Sequence, residues 1–151
     1  MNSQKRIANL LLSIFNIGRI GPFPGSIASL ISVIFWYCFI PDNWIIQIVL
    51  ILFVLIIGVI SYRLIQEDLD ERDPSYIVLD ELVGMWISLI LVPYRLEYFL
   101  MAFILFRYFD ILKPSFIYRS QNINSSLSVF VDDILAGILT LLIMYSVIYI
   151  L

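Results

Sequence analysis

From Trp44 to Ser61 the chain runs without a charge, interrupted only by Gln47 and Gly58. A helix needs about 20 such residues to cross about 30 Å of hydrocarbon, and no face of this run is polar enough to stay in water. The rest of the chain repeats the theme. Of its 151 residues, 62% are hydrophobic and 14% charged, whereas a soluble domain has about half and about a quarter. The surplus apolar surface needs lipid to face. Barrel strands would alternate apolar and polar residues, and these runs do not, so the expected class is all-α: a polytopic membrane helical bundle forming one domain over residues 1–151.

Four further segments join Trp44–Ser61 to make about five apolar spans. Ile27–Ile40 is short and borrows length from the Gly/Pro segment before it. Leu79–Val92 follows, then Tyr98–Phe106 with Arg107 and Asp110 before Pro114, and finally Ile134–Leu151 directly after Asp132 and Asp133. Pro41-Asp42-Asn43 predicts a tight turn in which Asp42 or Asn43 caps the next helix. The mildly basic start, Met1–Arg6, followed by Ile7–Ile17, reads as a short interfacial or re-entrant helix, because no small-residue cleavage pattern follows it.

Basic residues set the orientation. If the five spans alternate, Lys5, Arg6, Arg19, Arg63, Arg72, Arg107, Lys113 and Arg119 share one side, and of the nine basic residues only Arg95 lies opposite. The positive-inside rule then places the amino terminus in the cytoplasm and the carboxyl terminus outside. Tyr62, Tyr76, Tyr94, Tyr98, Trp44 and Trp86 fall near helix ends and are expected to be interfacial anchors. Cys38, alone in an apolar run, is expected to be a small buried side chain. A net charge of -3 gives no support to nucleic-acid binding.

On the same side as the basic residues stand Asp80-Glu81, Arg107 with Asp110 and Lys113, and Asp132-Asp133, at the ends of three separate spans. Charges in membrane helices are costly and mark function or contact with water. Arg107, Asp110 and Lys113 are spaced by three, so they share one helical face. They suit either an intrahelical salt-bridge set or a grip on a phosphate, with the guanidinium as a planar fork. Five converging carboxylates would repel one another unless a divalent cation joined them. Carboxylates and water are the ligands of hard cations such as Mg²⁺, and with no His in the chain a soft-metal site, a phosphohistidine and a Ser-His-Asp triad are all excluded. What survives is metal-assisted hydrolysis or transfer, with a carboxylate as base or nucleophile.

Two other segments carry polar character. Gly18–Ser29 holds glycines and prolines, and Ser26 or Ser29 can cap the helix that follows. It reads either as a loop dipping into the membrane or as a phosphate loop offering amides to an anionic headgroup, but it lacks the Gly-Lys-Ser/Thr ending of a P-loop. Glu67–Asp73 lacks the glycine and donor spacing of an EF-hand and reads as a solvated acidic loop.

Four motifs occur in order: Pro24-Gly25-Ser26-Ile27-Ala28-Ser29, Leu79-Asp80-Glu81-Leu82-Val83-Gly84-Met85-Trp86, Arg107-Tyr108-Phe109-Asp110-Ile111-Leu112-Lys113-Pro114, and Val131-Asp132-Asp133-Ile134-Leu135-Ala136-Gly137. Together they resemble the phosphatidylglycerophosphatase A family, bacterial membrane enzymes that use Mg²⁺ to remove the terminal phosphate of phosphatidylglycerophosphate. The resemblance implies a membrane phospholipid substrate and a Mg²⁺ site built from Asp80, Glu81, Asp110, Asp132 and Asp133. It implies phosphate contacts from Arg107, Lys113, Ser26 and Ser29, and a location in the bacterial cytoplasmic membrane. The chain departs from the family pattern at Ala28, where a glycine is expected, at Gly21 and Phe116, where prolines are, and at Asn124–Ser128 in place of a glycine-rich stretch. A phospholipid phosphotransferase and a non-catalytic membrane protein or ion carrier are the competing readings. The first is disfavoured by the lack of an Asp-Gly-x-x-Ala-Arg signature.

Overall fold

The computed structural model describes residues 2–69, 71, 74–112 and 126–150; Lys113, Pro114, Phe116 and Arg119 lie outside the described residues. Among the described residues the chain forms α-helices joined by turns and short 3-10 segments, with no strand. The helices are α1 (Ser3–Leu12), α2 (Pro24–Phe39), α3 (Trp44–Ile65), α4 (Leu79–Leu89), α5 (Leu96–Leu112) and α6 (Ser128–Tyr149).

The start of α3 follows from its cap: Asn43 Oδ1 accepts from the amides of Ile45 at 3.0 Å and Ile46 at 3.3 Å. That satisfies donors that a helix start leaves without partners. At α2 the expected serine caps do not occur. Pro24 takes the first turn and no side chain caps the helix, because proline's fixed φ suits the first helical position and moves the start ahead of both serines.

Among the described residues two helices are long and apolar enough to cross a membrane, α3 with its 3-10 extension to Asp68 and α6. Only 22% and 33% of their most apolar stretches are covered by the rest of the protein. Apolar surface left so open is what a bilayer solvates. The central element is α4, against which α2, α3, α5 and α6 all pack, while α1 lies along α3. Its core neighbours include Trp36, Phe99, Phe106 and Met144.

Three expectations fail for one reason. Trp86 and Tyr62 are buried, not interfacial; Trp86 stacks at 6.0 Å on Phe35 and donates to the Ser32 carbonyl at 3.3 Å. Cys38 is exposed on the outward side of α2. A helix apolar all round does not reveal in its sequence which side meets protein and which meets lipid. Trp44, 56% exposed at the start of α3, does fit an anchor.

The amino-terminal unit is tied to the approach to α4. The Leu12 carbonyl accepts from the Val78 amide at 3.0 Å, and Lys5 pairs with Asp68 at 2.6 Å. Gly18 lies so close against the Tyr76 carbonyl that no side chain fits there.

Candidate active site

Four helix ends meet on one side of the bundle: the starts of α2, α4 and α6 and the end of α5. Asp80 and Glu81 lie in the first turn of α4, where the helix dipole favours acids. Arg107 and Asp110 lie in the last two turns of α5. Asp132 and Asp133 were expected ahead of the last helix, but α6 begins at Ser128 and carries both in its second turn. The six residues before the expected start are apolar or polar without a helix breaker, so nothing delays the helix.

Carboxylate oxygens of Asp80, Glu81 and Asp133 all lie within 4.8 Å of one another. Asp110 lies near enough to Asp133 for their charges to interact. Asp80, Asp110, Asp132 and Asp133 are buried. Arg107 brings a positive charge to these acids: its Nη1 meets Asp110 Oδ2 at 2.5 Å with both side chains largely covered. Lys113, the other expected cation, lies outside the described residues.

Charge of one sign held this close is unstable by itself. Two ionised carboxylates about 5 Å apart repel by about 3 kcal/mol at an effective dielectric of about 20. Donor atoms around a six-coordinate hard cation lie about 3 to 5 Å from one another, which is the spacing of the three clustered acids. Glu81 Oε2 is moreover buried without a hydrogen-bond partner, a cost that a ligated ion removes. The residues therefore fit a divalent cation, and the all-oxygen donor set suits Mg²⁺ or Ca²⁺ chemistry rather than zinc.

Beside the acids stands the start of α2. A Cβ on Gly25 would run into Glu81 Oε1 and fall 3.3 Å from Arg107 Nη1. Glycine lets this helix start approach the carboxylate and the guanidinium without displacing either side chain. Its amides and that of Ser26 belong to the first turn, where helix geometry leaves donors without a carbonyl four residues back. Ser26 is half-buried there. Ser29 is fully buried, and its hydroxyl donates to the Gly25 carbonyl at 2.8 Å, bracing the first turn from below. Gly21, where the family pattern has proline, sits at φ 73°, a conformation closed to a proline ring.

Gly84 and Gly137 enter the sequence reading only as parts of motifs, without roles. Their signal was present in the spacing, since Asp80 and Asp133 each precede a glycine by four residues. On a helix that places acid and glycine on one face, a turn apart.

The sequence pattern of the phosphatidylglycerophosphatase A family matches residues 10–148. Phosphatidylglycerophosphatase A of Escherichia coli strain K12 is 31% identical over 92% of this chain and 82% of its own length. The protein of that name from Haemophilus influenzae is 32% identical over 93% of this chain and 88% of its own. A Bacteroides thetaiotaomicron protein, provisionally named a phosphatidylinositol-3-phosphatase, is 35% identical over 78% of this chain and 79% of its own. No solved structure is significantly similar. With the family's motifs in order along nearly the whole chain, and their acids gathered at one end of a helical bundle, the chain belongs to the phosphatidylglycerophosphatase A family.

Proposed function

We propose that this protein is a Mg²⁺-dependent phosphatase that hydrolyses the terminal phosphomonoester of phosphatidylglycerophosphate, giving phosphatidylglycerol and phosphate at the cytoplasmic face of a bacterial membrane. The observation that carries the reading is the convergence of the Asp80, Glu81 and Asp133 carboxylates beside Arg107 and Gly25. When bound, the cation neutralises the acids and polarises a phosphoryl oxygen.

The chain's own residues do the rest. Asp80, Glu81 and Asp133 would hold the ion, with Asp132 beside Asp133 on α6. Asp110 holds Arg107 by their ion pair, so the guanidinium meets the phosphate already oriented and stabilises charge on its equatorial oxygens. The amides of Gly25 and Ser26 offer further donors. Water attacks phosphorus and gives a proton to a carboxylate of this set; the bond to the glycerol oxygen breaks, and that oxygen takes up the proton to leave as the alcohol. The lipid's acyl chains stay in hydrocarbon throughout, because the acids sit at helix ends.

The five-span arrangement with the amino terminus in the cytoplasm belongs to this proposal. At about 1.5 Å per residue, α4 covers about 16 Å, half the hydrocarbon thickness. Its position supports the reading even so. It is surrounded by α2, α3, α5 and α6, and the residues that lead into it, Ile77 and Val78, are buried in protein, the condition under which irregular backbone is tolerated at membrane depth.

The name of the Bacteroides relative favours a second headgroup, a phosphorylated inositol, on the same bond chemistry. Purified protein in mixed micelles should release free phosphate from phosphatidylglycerophosphate with Mg²⁺ and not without it, and faster than from phosphatidylinositol 3-phosphate. Transfer of the phosphoryl group to an alcohol in place of water would mark a phosphotransferase. No turnover by folded protein would leave the non-catalytic reading standing.

A further inference from the structure

Helices α4 and α6 run in the same direction and touch backbone to backbone. A Cβ on Gly84 would lie 2.5 Å from the Asp133 carbonyl oxygen and 2.8 Å from the Phe106 ring. One on Gly137 would run into the Gly84 carbonyl oxygen and lie 3.2 Å from the Gly84 Cα. Backbone atoms cannot yield by changing rotamer, so either substitution forces the helices apart. One turn from each glycine, on the same face, stand Asp80 and Asp133, two of the three clustered acids.

Helix separation and donor spacing are thus one variable. Hard cations differ in how much spacing they need: Mg²⁺ demands oxygens at about 2.0–2.1 Å in near-ideal octahedral geometry, whereas Ca²⁺ accepts about 2.3–2.6 Å in flexible geometry. A displacement of a few tenths of an ångström crosses from one range to the other. We propose that the Gly84–Gly137 contact sets the ion size the carboxylate site accepts, making these glycines positioning residues for the metal. The inference rests on the metal reading given above.

The test uses the full chain in detergent micelles, with Mg²⁺ and Ca²⁺ each titrated alone, without lipid substrate, and affinity read by calorimetry. Gly84→Ala and Gly137→Ala should weaken Mg²⁺ about tenfold or more while weakening Ca²⁺ less, so the affinity ratio moves toward Ca²⁺. Gly58→Ala is the control. The atoms nearest its Cβ belong to side chains, the Phe130 ring at 2.8 Å and Leu79 Cδ2 at 3.0 Å, so the ratio should stay that of the wild type. If the alanine variants do not fold, Asp133→Glu and Asp80→Glu decide. These keep the charge and leave the helix contact intact, and a rigid frame makes each lose about tenfold in Mg²⁺ affinity. A wild-type ratio in folded Gly84→Ala and Gly137→Ala, or wild-type Mg²⁺ binding by both glutamate variants, overturns the proposal alone. A wild-type protein that binds neither ion overturns it together with the metal reading.

Discussion

The two ends of the bundle use polar residues in opposite ways. At the end away from the acids, neutral side chains close the chain's own backbone: Tyr94 donates to the Ile40 carbonyl at 2.6 Å, Gln47 to the Pro41 carbonyl at 3.1 Å, and Tyr149 to the Leu91 carbonyl at 2.9 Å. The ion pair there, Arg95 with Glu97, is long at 3.8 Å and well exposed, so it contributes little. At the acidic end, buried carboxylates crowd around one guanidinium, and Glu81 Oε2 and Arg107 Nε are left without partners. Gln47 Oε1 is also buried without a partner, but among the described residues the charged groups left over lie at the acidic end, where they are available to an ion and a phosphate.

This contrast breaks most visibly on removing the metal. Chelation should abolish phosphate release and lower the melting temperature, and added Mg²⁺ should restore both. At about a hundred times its dissociation constant, the ion stabilises the folded state by about 2.7 kcal/mol. Unchanged turnover in chelator would remove the cation from the mechanism. Next in size, Asp80→Asn and Asp133→Asn keep shape but lose charge, and turnover should fall by about 10²- to 10⁴-fold. Phosphate release at saturating Mg²⁺ measures it, and activity within a few-fold of wild type would sink the assignment.

Smaller effects sharpen the comparison. Arg107→Ala should cost about 10²-fold in kcat, as for loss of one donor to transition-state charge. Arg107→Lys should fall between, because a point charge does not replace a planar fork. Equal activity of the lysine variant and wild type would assign Arg107 to the fold alone. At the far end, Tyr94→Phe should cost about 1 kcal/mol of stability and leave kcat and the Mg²⁺ requirement untouched. A change in Mg²⁺ requirement there would show that the two ends are not independent.

Several features were legible from residue order alone. A cap at Asp42 or Asn43 was readable because both follow a proline and precede an apolar run, and the structure assigns it to Asn43. Asp80 and Glu81 were readable as a helix start for the complementary reason, acids ahead of an apolar segment. The Arg107–Asp110 pair followed from a spacing of three, which any helix converts into proximity. Ser26 and Ser29 were misread as caps because two rules competed, and proline at the first turn prevailed over a serine hydroxyl. Trp86 and Cys38 were misplaced because hydropathy does not distinguish a protein neighbour from a lipid one.

By itself, then, the sequence determined that the chain is helical, that it needs lipid, and that its acids collect at one end, since composition, period and charge count are local properties. Tertiary structure alone decided which carboxylates come within 4.8 Å of one another. Asp132 and Asp133 are neighbours in sequence but point about 100° apart around α6, and it is the packing of α6 on α4 that turns Asp133 toward Asp80 and Glu81. That packing depends on two glycines whose missing side chains matter only once another helix lies against them.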